Sequence, residues 1–181
     1  WDYDNDWGQD YYHPVKFENY LEEKAKPQLR ELLTGYGTMG LVWFDRGLYT
    51  REQALEFVDL VRELQPAALI NSRVGHYNQE LLGDFEEMSD KGIPPGGLDE
   101  YFQTPQTLNE TWGYSKFDTL WKSPETVIRQ LVQVVSRGGN YLLNMGPHGD
   151  GSIPDTTIAI FKEAGAWVKR HAESIYGTTV N

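Results

Sequence analysis

The chain has 181 residues, of which 39% are hydrophobic and 24% charged, a composition typical of a globular domain. Its formal net charge of −11 excludes nucleic acid as a favourable partner, because the phosphate backbone would be repelled. An acidic polysaccharide is disfavoured for the same reason, so a neutral substrate fits best. The chain contains no cysteine, which excludes disulfides and thiolate metal sites. It also lacks an apolar run of about 18 residues, so no membrane span is predicted.

The chain begins with a segment that indicates a loop and then a helix. Residues 1–13 are aromatic and acidic, which is typical of a loop. Apolar residues then recur at helix-like spacing and predict a helix from Pro14 to about Leu33. Pro27 predicts a kink or a break into two helices. Gly35 and Gly37 predict the end of the helical segment.

A strand, a helix and a second strand are predicted next. The apolar run from Met39 to Phe44 is typical of a buried parallel strand, and it ends at Asp45. Thr50 and Gln53 have the spacing of a capping box and predict the start of a helix. The run from Ala67 to Ile70 predicts the second strand.

The second half of the chain begins with a long irregular stretch. Residues 74–123 contain a concentration of Gly and Pro, and loops of this length are usually functional. A further strand near Trp112 is an open alternative within this stretch. Ser123–Pro124 predicts the start of a helix, and Tyr141–Leu143 predicts a third strand. The last helix is predicted from about Asp155 to His171.

The order of these elements predicts an α/β fold. Alternating strands and helices imply parallel strands joined by right-handed crossovers. Three or four strands amount to about half of a (β/α)8 barrel, which typically needs about 250 residues. A short open doubly wound sheet has the same sequence pattern and remains the competing interpretation.

Each clear strand is followed by a polar side chain. These side chains are Asp45, Arg73 and Asn144. Active-site residues of parallel α/β folds lie at the carboxyl ends of strands, so three polar strand ends indicate a site. Asp45 also follows Trp43 and Phe44, and a partly desolvated carboxylate with a cationic partner can serve as a nucleophile. A helix N-cap or a turn aspartate fits the spacing of Asp45 equally well.

Six strings spread over nearly the whole chain carry a family resemblance. They are QLRELLTGYGTMGLVWFD up to Asp45, INSR at Ile70–Arg73, GD at Gly83–Asp84, TLNETWGYSKFD at Thr107–Asp118, GGNYLLNMGPHGDGSIP at Gly138–Pro154 and AESIYGT at Ala172–Thr178. These strings resemble glycoside hydrolase family 29, the α-L-fucosidases. The resemblance implies a (β/α)8 TIM barrel of which this chain holds the C-terminal half or so. It also implies a retaining exo-α-L-fucosidase that forms a covalent fucosyl-enzyme and uses no cofactor and no metal.

The resemblance assigns roles to four residues of this chain. Asp45 matches the catalytic nucleophile of the family, in the string W-F-D. Trp43 matches an aromatic that lines the fucose subsite, and Arg73 matches an arginine that faces the sugar and the nucleophile. Trp112 matches an aromatic that packs near the C5 methyl group of fucose.

The acid/base is the residue on which the chain departs from the family pattern. Many relatives have a glutamate where this chain has Gln103, and an amide cannot transfer the catalytic proton. One interpretation, which the resemblance favours, is a natural or engineered replacement at position 103 that traps the substrate. The other places the acid/base earlier in the loop, where Asp90 matches through its D-x-x-I-P string. Glu86 and Glu87 are nearby alternatives.

The upstream half of the family pattern is not present in the sequence. Family members carry H-W-G and H-H-D-G strings that bind fucose hydroxyls, and neither string occurs in residues 1–181. We therefore interpret residues 1–181 as a partial catalytic barrel domain without its N-terminal strands, preceded by a missing N-terminus, since residue 1 is Trp1 and not Met. A second chain or a missing N-terminal half is expected to complete the barrel, and a homo-oligomer is a further option.

The expected ligand is a fucosylated oligosaccharide or glycoconjugate. A fucose-binding pseudoenzyme, in which Gln103 has removed the chemistry, is the alternative from a different class. The resemblance implies a periplasmic, secreted or lysosomal-like location, whereas the sequence itself leaves the compartment open.

Overall fold

The computed structural model describes residues 16–45 and 49–179 and divides the chain into two compact units. The first unit ends at Glu86 and the second begins at Glu87. The loop predicted for residues 1–13 and the predicted helix start at Pro14 lie outside the described residues. Across residues 16–45 and 49–179, helices long and apolar enough to cross a membrane are absent.

The first unit begins with a continuous helical segment. It consists of α1 (Phe17–Tyr20), a π-helical turn (Leu21–Ala25) and α2 (Lys26–Gly35). The break predicted at Pro27 corresponds to a change of helix type: the π-helical turn ends at Ala25, and Pro27 is the second residue of α2. The predicted end of the helix is confirmed, and Gly37 adopts the left-handed backbone with φ of 86°.

Two short parallel strands flank the third helix of the first unit. They are β1 (Leu41–Val42) and β2 (Leu69–Ile70), and Leu41 pairs with Leu69 while Val42 pairs with Ile70. Helix α3 (Arg51–Leu64) lies between them in sequence. The predicted capping box is confirmed, since the Thr50 side chain accepts from the Gln53 amide and the Gln53 side chain accepts from the Thr50 amide.

The core of the first unit lies between its helices and one face of β1 and β2. Leu33 of α2, Phe57 and Val61 of α3 and Ile70 of β2 are buried together. The ladder between β1 and β2 is shorter than the predicted strands, because the chain after Ile70 turns into a 3-10 helix at Ser72–Val74.

The rest of the first unit contains short strands inside the stretch that was predicted to be irregular. They are β3 (His76–Tyr77) and β4 (Glu80–Leu81), which pair in antiparallel orientation. The next strand, β5 (Glu86–Glu87), spans the boundary between the two units and belongs to the sheet of the second unit.

The second unit is built on a three-stranded sheet, in which β5 pairs with the first of two longer parallel strands. Its elements are β6 (Phe102–Thr107), α4 (Pro124–Val135), β7 (Gly139–Asn144), α5 (Asp155–Arg170) and a 3-10 turn (Ala172–Ser174). Strands β6 and β7 pair over six residues, from Phe102 with Gly139 to Thr107 with Asn144. Buried Leu108, Val127, Ile160 and Ala164 form the core of this unit.

Strand β6 corrects the prediction of a further strand near Trp112. The strand lies at Phe102–Thr107, before the Trp112 loop. Its sequence FQTPQT is polar and contains Pro105, which argues against a strand interior. Five of its six residues are nevertheless buried. The mixed helix and strand content supports the α/β class, and the half-barrel remains a prediction.

Candidate active site

A carboxylate, a guanidinium and an indole meet just beyond β1 and β2. Arg73 Nη1 donates to Asp45 Oδ1 at 2.6 Å, a short charge-assisted hydrogen bond. The Arg73 guanidinium also lies over the Trp43 ring, 4.7 Å from the ring centroid. The side chains of Asp45 and Arg73 keep 23% and 24% of their surface exposed, so the pair is accessible to a ligand. The structure thus brings together three of the residues proposed for the site.

The backbone just before Asp45 is held by a buried amide side chain. Asn71 is fully buried, its Oδ1 accepts from the Phe44 amide at 2.7 Å, and its Nδ2 donates to the Phe44 carbonyl at 3.0 Å. Because one side chain satisfies both backbone groups of Phe44, it replaces the strand partner that β2 no longer provides there. The sequence indicated a strand end at this position but assigned Asn71 no role.

Position 103 lies in the second unit, where its amide is engaged with a buried carboxylate. Gln103 Nε2 donates to Glu87 Oε2 at 2.9 Å, and Glu87 is only 6% exposed. Glu87 was considered from sequence as an alternative acid/base, but its contact with Gln103 could not be predicted without β6.

Asp90 lies in a short segment attached to β6 on both sides. The Met88 amide donates to the Gln103 carbonyl at 2.9 Å, and the Lys91 amide donates to the Pro105 carbonyl at 3.0 Å. Asp90 itself is exposed. Lys91 has a φ of 59°, an uncommon left-handed conformation for a non-glycine residue, which turns the chain directly after Asp90. The structure therefore fixes Asp90 and Gln103 within one local region of the second unit.

Trp112 lies in a loop that is held by its own hydrogen bonds. The Thr111 amide and hydroxyl both donate to Asp118 Oδ2 at 2.9 Å. Desolvation would raise the pKa of Asp118, but these hydrogen bonds hold that pKa below its ordinary value. Trp112 is 39% exposed, so its ring is available to a ligand.

The turn after β7 approaches the Trp112 loop closely. A Cβ atom at Gly146 would come within 2.5 Å of the Tyr114 amide nitrogen, so only glycine fits there. Tyr114 also contacts His148, with ring centroids 4.3 Å apart. Asn144 ends β7 opposite Thr107, as its strand-end position predicted. Its buried Oδ1 has no hydrogen-bond partner among the described residues.

Groups of three or more His, Cys, Asp or Glu placed to hold a metal ion are absent from residues 16–45 and 49–179.

The chain matches one protein family over almost its whole length. A family model described as Alpha-L-fucosidase matches residues 1–173. The chain is 28% identical to the tissue alpha-L-fucosidase of Mus musculus, over 93% of this chain and 41% of the mouse protein. It is 26% identical to the alpha-L-fucosidase of Dictyostelium discoideum, over 88% of this chain and 36% of that protein. The chain thus spans well under half the length of these curated relatives.

Solved structures with the same fold support the same match. Alpha-L-fucosidase isoenzyme 1 from Paenibacillus thiaminolyticus superposes with a TM-score of 0.86 and 36% identity, over 98% of this chain and 45% of that one. AlfC from Lactobacillus casei, in complex with alpha-L-fucose product, gives a TM-score of 0.77 and 33% identity, over 88% of this chain and 49% of that one. An AlfC variant in complex with Fuca(1,6)GlcNAc gives a TM-score of 0.75 and 32% identity, over 88% of this chain and 48% of that one.

Proposed function

Because this chain belongs to the α-L-fucosidase family, we propose that it carries the nucleophile half of a retaining α-L-fucosidase active site. The observation that supports the proposal best is the contact of Asp45 with Arg73, beside Trp43 and just beyond β1. A carboxylate with a cationic partner at a strand end is suited to nucleophilic attack on a sugar.

The proposed reaction has two displacements at the anomeric carbon. Asp45 Oδ2 or Oδ1 attacks the anomeric carbon and the glycosidic bond breaks, while a carboxylic acid protonates the leaving oxygen. The same acid, now a carboxylate, removes a proton from water, which attacks the fucosyl-enzyme and releases fucose with net retention. Arg73 keeps the Asp45 carboxylate oriented, and Trp43 and Trp112 offer apolar ring faces to the sugar and its methyl group.

We propose Asp90 as the acid/base. Gln103 has no proton to give at its amide oxygen, and its Nε2 already donates to Glu87. Glu87 is buried, whereas a general acid must reach both the leaving oxygen and water. Asp90 is exposed, ionisable and attached to β6 beside position 103. The geometry thus favours the second of the two sequence interpretations.

The proposed substrate is a terminal α-L-fucoside of an oligosaccharide or glycoconjugate. The AlfC variant holds Fuca(1,6)GlcNAc, a small neutral fucoside of this class. A neutral substrate also agrees with the net charge of −11 on this chain. The pseudoenzyme alternative is less well supported, because a carboxylate is present both at Asp45 and at Asp90.

The stereochemical outcome tests this function. The first fucose released from an aryl α-L-fucoside is expected to be the α-anomer, as followed by NMR before mutarotation. A β-anomer as first product would indicate an inverting enzyme instead.

We further propose that additional polypeptide covers the open strand faces of both units. In the first unit Leu41 and Leu69 are strand partners on the face opposite the helices, and they are 38% and 50% exposed. In the second unit Leu142 of β7 is 40% exposed, while its neighbours Tyr141 and Leu143 pack on the core. Parallel sheets are normally covered on both faces.

The 181-residue chain is therefore not expected to be a self-sufficient monomer. Analytical ultracentrifugation and thermal unfolding of the isolated chain test this expectation: we expect self-association or a non-cooperative transition. A monomeric, soluble chain with one sharp unfolding transition would refute it. The exposed strand faces could be covered by an upstream half of the same polypeptide, by a second chain or by another copy of this chain. The mass of the assembled particle distinguishes these three arrangements.

A further inference from the structure

We infer that Asn71 is a positioning residue for the nucleophile: it fixes the backbone from which Asp45 projects. The inference rests on the proposed function, in which Asp45 attacks the sugar. It concerns a residue that does not itself need to touch the substrate, and it follows from the hydrogen bonds at the end of β1.

The backbone ladder stops before it reaches the nucleophile. The pairing of β1 with β2 extends only as far as Val42 and Ile70. Phe44 and Asp45 lie beyond that last pair. The chain after Asn71 turns into the 3-10 helix Ser72–Val74, so β2 does not extend to a position opposite Phe44. Without another partner, the amide and carbonyl of Phe44 would be free to rotate, and Asp45 would move with them.

The side chain of Asn71 supplies that partner. It accepts from the Phe44 amide at 2.7 Å and donates to the Phe44 carbonyl at 3.0 Å, with both atoms fully buried. Two bonds from one planar amide fix both the position and the orientation of the peptide groups around Phe44. An aspartate or a leucine could not make the same pair of contacts.

Asn71 is itself held in place by its neighbours, so its side chain can hold the backbone of Phe44 in place. It forms a parallel bridge with Phe85, and its carbonyl accepts from the Val74 amide at 3.3 Å. The chain at Gly83 packs directly against it: a Cβ atom there would lie 2.7 Å from the Asn71 carbonyl carbon and oxygen. Two residues further along, Arg73 holds the carboxylate of Asp45. The segment Asn71–Arg73 therefore holds the nucleophile in two ways: Asn71 fixes the backbone before Asp45, and Arg73 binds the Asp45 carboxylate.

The opposite end of the same strand segment offers a matched control. Gln65 Oε1 accepts from the Met39 amide at 2.6 Å, and Gln65 Nε2 donates to the carbonyls of Leu33 and Gly37 at 2.6 and 2.8 Å. Gln65 is thus an amide that holds the start of the segment as Asn71 holds its end. Loss of Gln65 should weaken the fold without displacing Asp45.

The test compares Asn71→Leu, Asn71→Ser and Gln65→Met in the complete enzyme. Each variant is assayed for thermal midpoint, for the inhibition constant of fucose, and for kcat and KM on an aryl α-L-fucoside. Asn71→Leu removes both hydrogen bonds at similar volume. Asn71→Ser leaves room for water, which can satisfy Phe44 without fixing it, so it provides a folded variant if the leucine variant does not fold.

A displaced nucleophile should lower kcat while fucose binding is preserved. We expect a loss of about 10²-fold in kcat for either Asn71 variant, the cost of a misplacement of about 1 Å. Gln65→Met should lower the thermal midpoint and leave kcat unchanged. Wild-type kcat in a folded Asn71 variant, or an equal loss of kcat in Gln65→Met, would overturn the inference. A covalent fucosyl label on a residue other than Asp45 would instead refute the proposed function itself.

Discussion

Asp45→Asn in the complete enzyme is expected to abolish turnover of α-L-fucosides while leaving the fold intact. An amide cannot form the glycosyl ester, so kcat should fall by about 10⁴-fold or more, the scale on which single catalytic groups of hydrolases act. The amide oxygen of Asn can still accept from Arg73 Nη1, so the local structure should persist. Steady-state kinetics with an aryl α-L-fucoside measures the loss, and thermal unfolding measures the fold.

Asp59→Asn is the matched control for this variant. Asp59 is an exposed carboxylate on α3 in the same unit, and its replacement changes the net charge by the same amount. The control should retain full activity. Near-wild-type turnover in Asp45→Asn would remove Asp45 from the mechanism, whereas a collapse of the thermal midpoint would assign it a structural role.

Asp90→Asn is expected to slow natural fucosides far more than activated aryl fucosides. A sugar alkoxide needs protonation to leave, and general acid help is worth about 10²–10⁴ in rate. A nitrophenolate leaves without that help, so kcat/KM on 4-nitrophenyl fucoside should change little. Attack of water on the fucosyl-enzyme then lacks a general base, so kcat should fall and the intermediate should accumulate. Azide needs no deprotonation and should restore kcat with formation of a fucosyl azide.

Two further variants distinguish Asp90 from position 103. Asp99→Asn, an exposed aspartate in the same unit, should behave as the wild type. Gln103→Glu should give no gain on natural fucosides, because the new carboxylate would lie within hydrogen-bond distance of Glu87 and the two would share a proton. If Gln103→Glu instead raises activity on natural fucosides, and Asp90→Asn shows no response to azide, position 103 is the acid/base site.

The sequence predicted the first unit well because its signals are local. The capping box at Thr50 and the glycine end of α2 depend on residues three or four positions apart. The rule that parallel strands bring their carboxyl ends to one edge predicted a shared site for Asp45 and Arg73, and the family resemblance added that the arginine faces the nucleophile.

The missed features depend on contacts between residues that are distant in sequence. Strand β6 is polar and contains Pro105, and it is recognisable only from its pairing, since it lies between β5 and β7 in the sheet. The bond between Gln103 and Glu87 exists only once that strand is formed. A disturbance of the helix at Pro27 was predicted, but its form was not: a π-helical turn precedes the proline, and no sequence pattern distinguishes such a turn from an α-helical one.

The role of Asn71 lies between these two cases. Its position directly after a buried strand is evident from sequence, but a polar strand end is equally typical of a turn. Only the geometry reveals that its side chain binds both backbone groups of Phe44. A buried amide next to a candidate nucleophile is a signal that could be sought in other chains.

The most direct test of the central claim is to locate the covalent intermediate. The complete enzyme is incubated with a slow fucosyl donor that carries fluorine beside the anomeric carbon and fluoride as leaving group, and the digested protein is analysed by mass spectrometry. The fluorine slows hydrolysis of the intermediate, so the fucosyl group should be recovered as an ester on Asp45. A label on any other residue, or turnover of the donor without a covalent adduct, would contradict the assignment of Asp45 as the nucleophile of a retaining α-L-fucosidase.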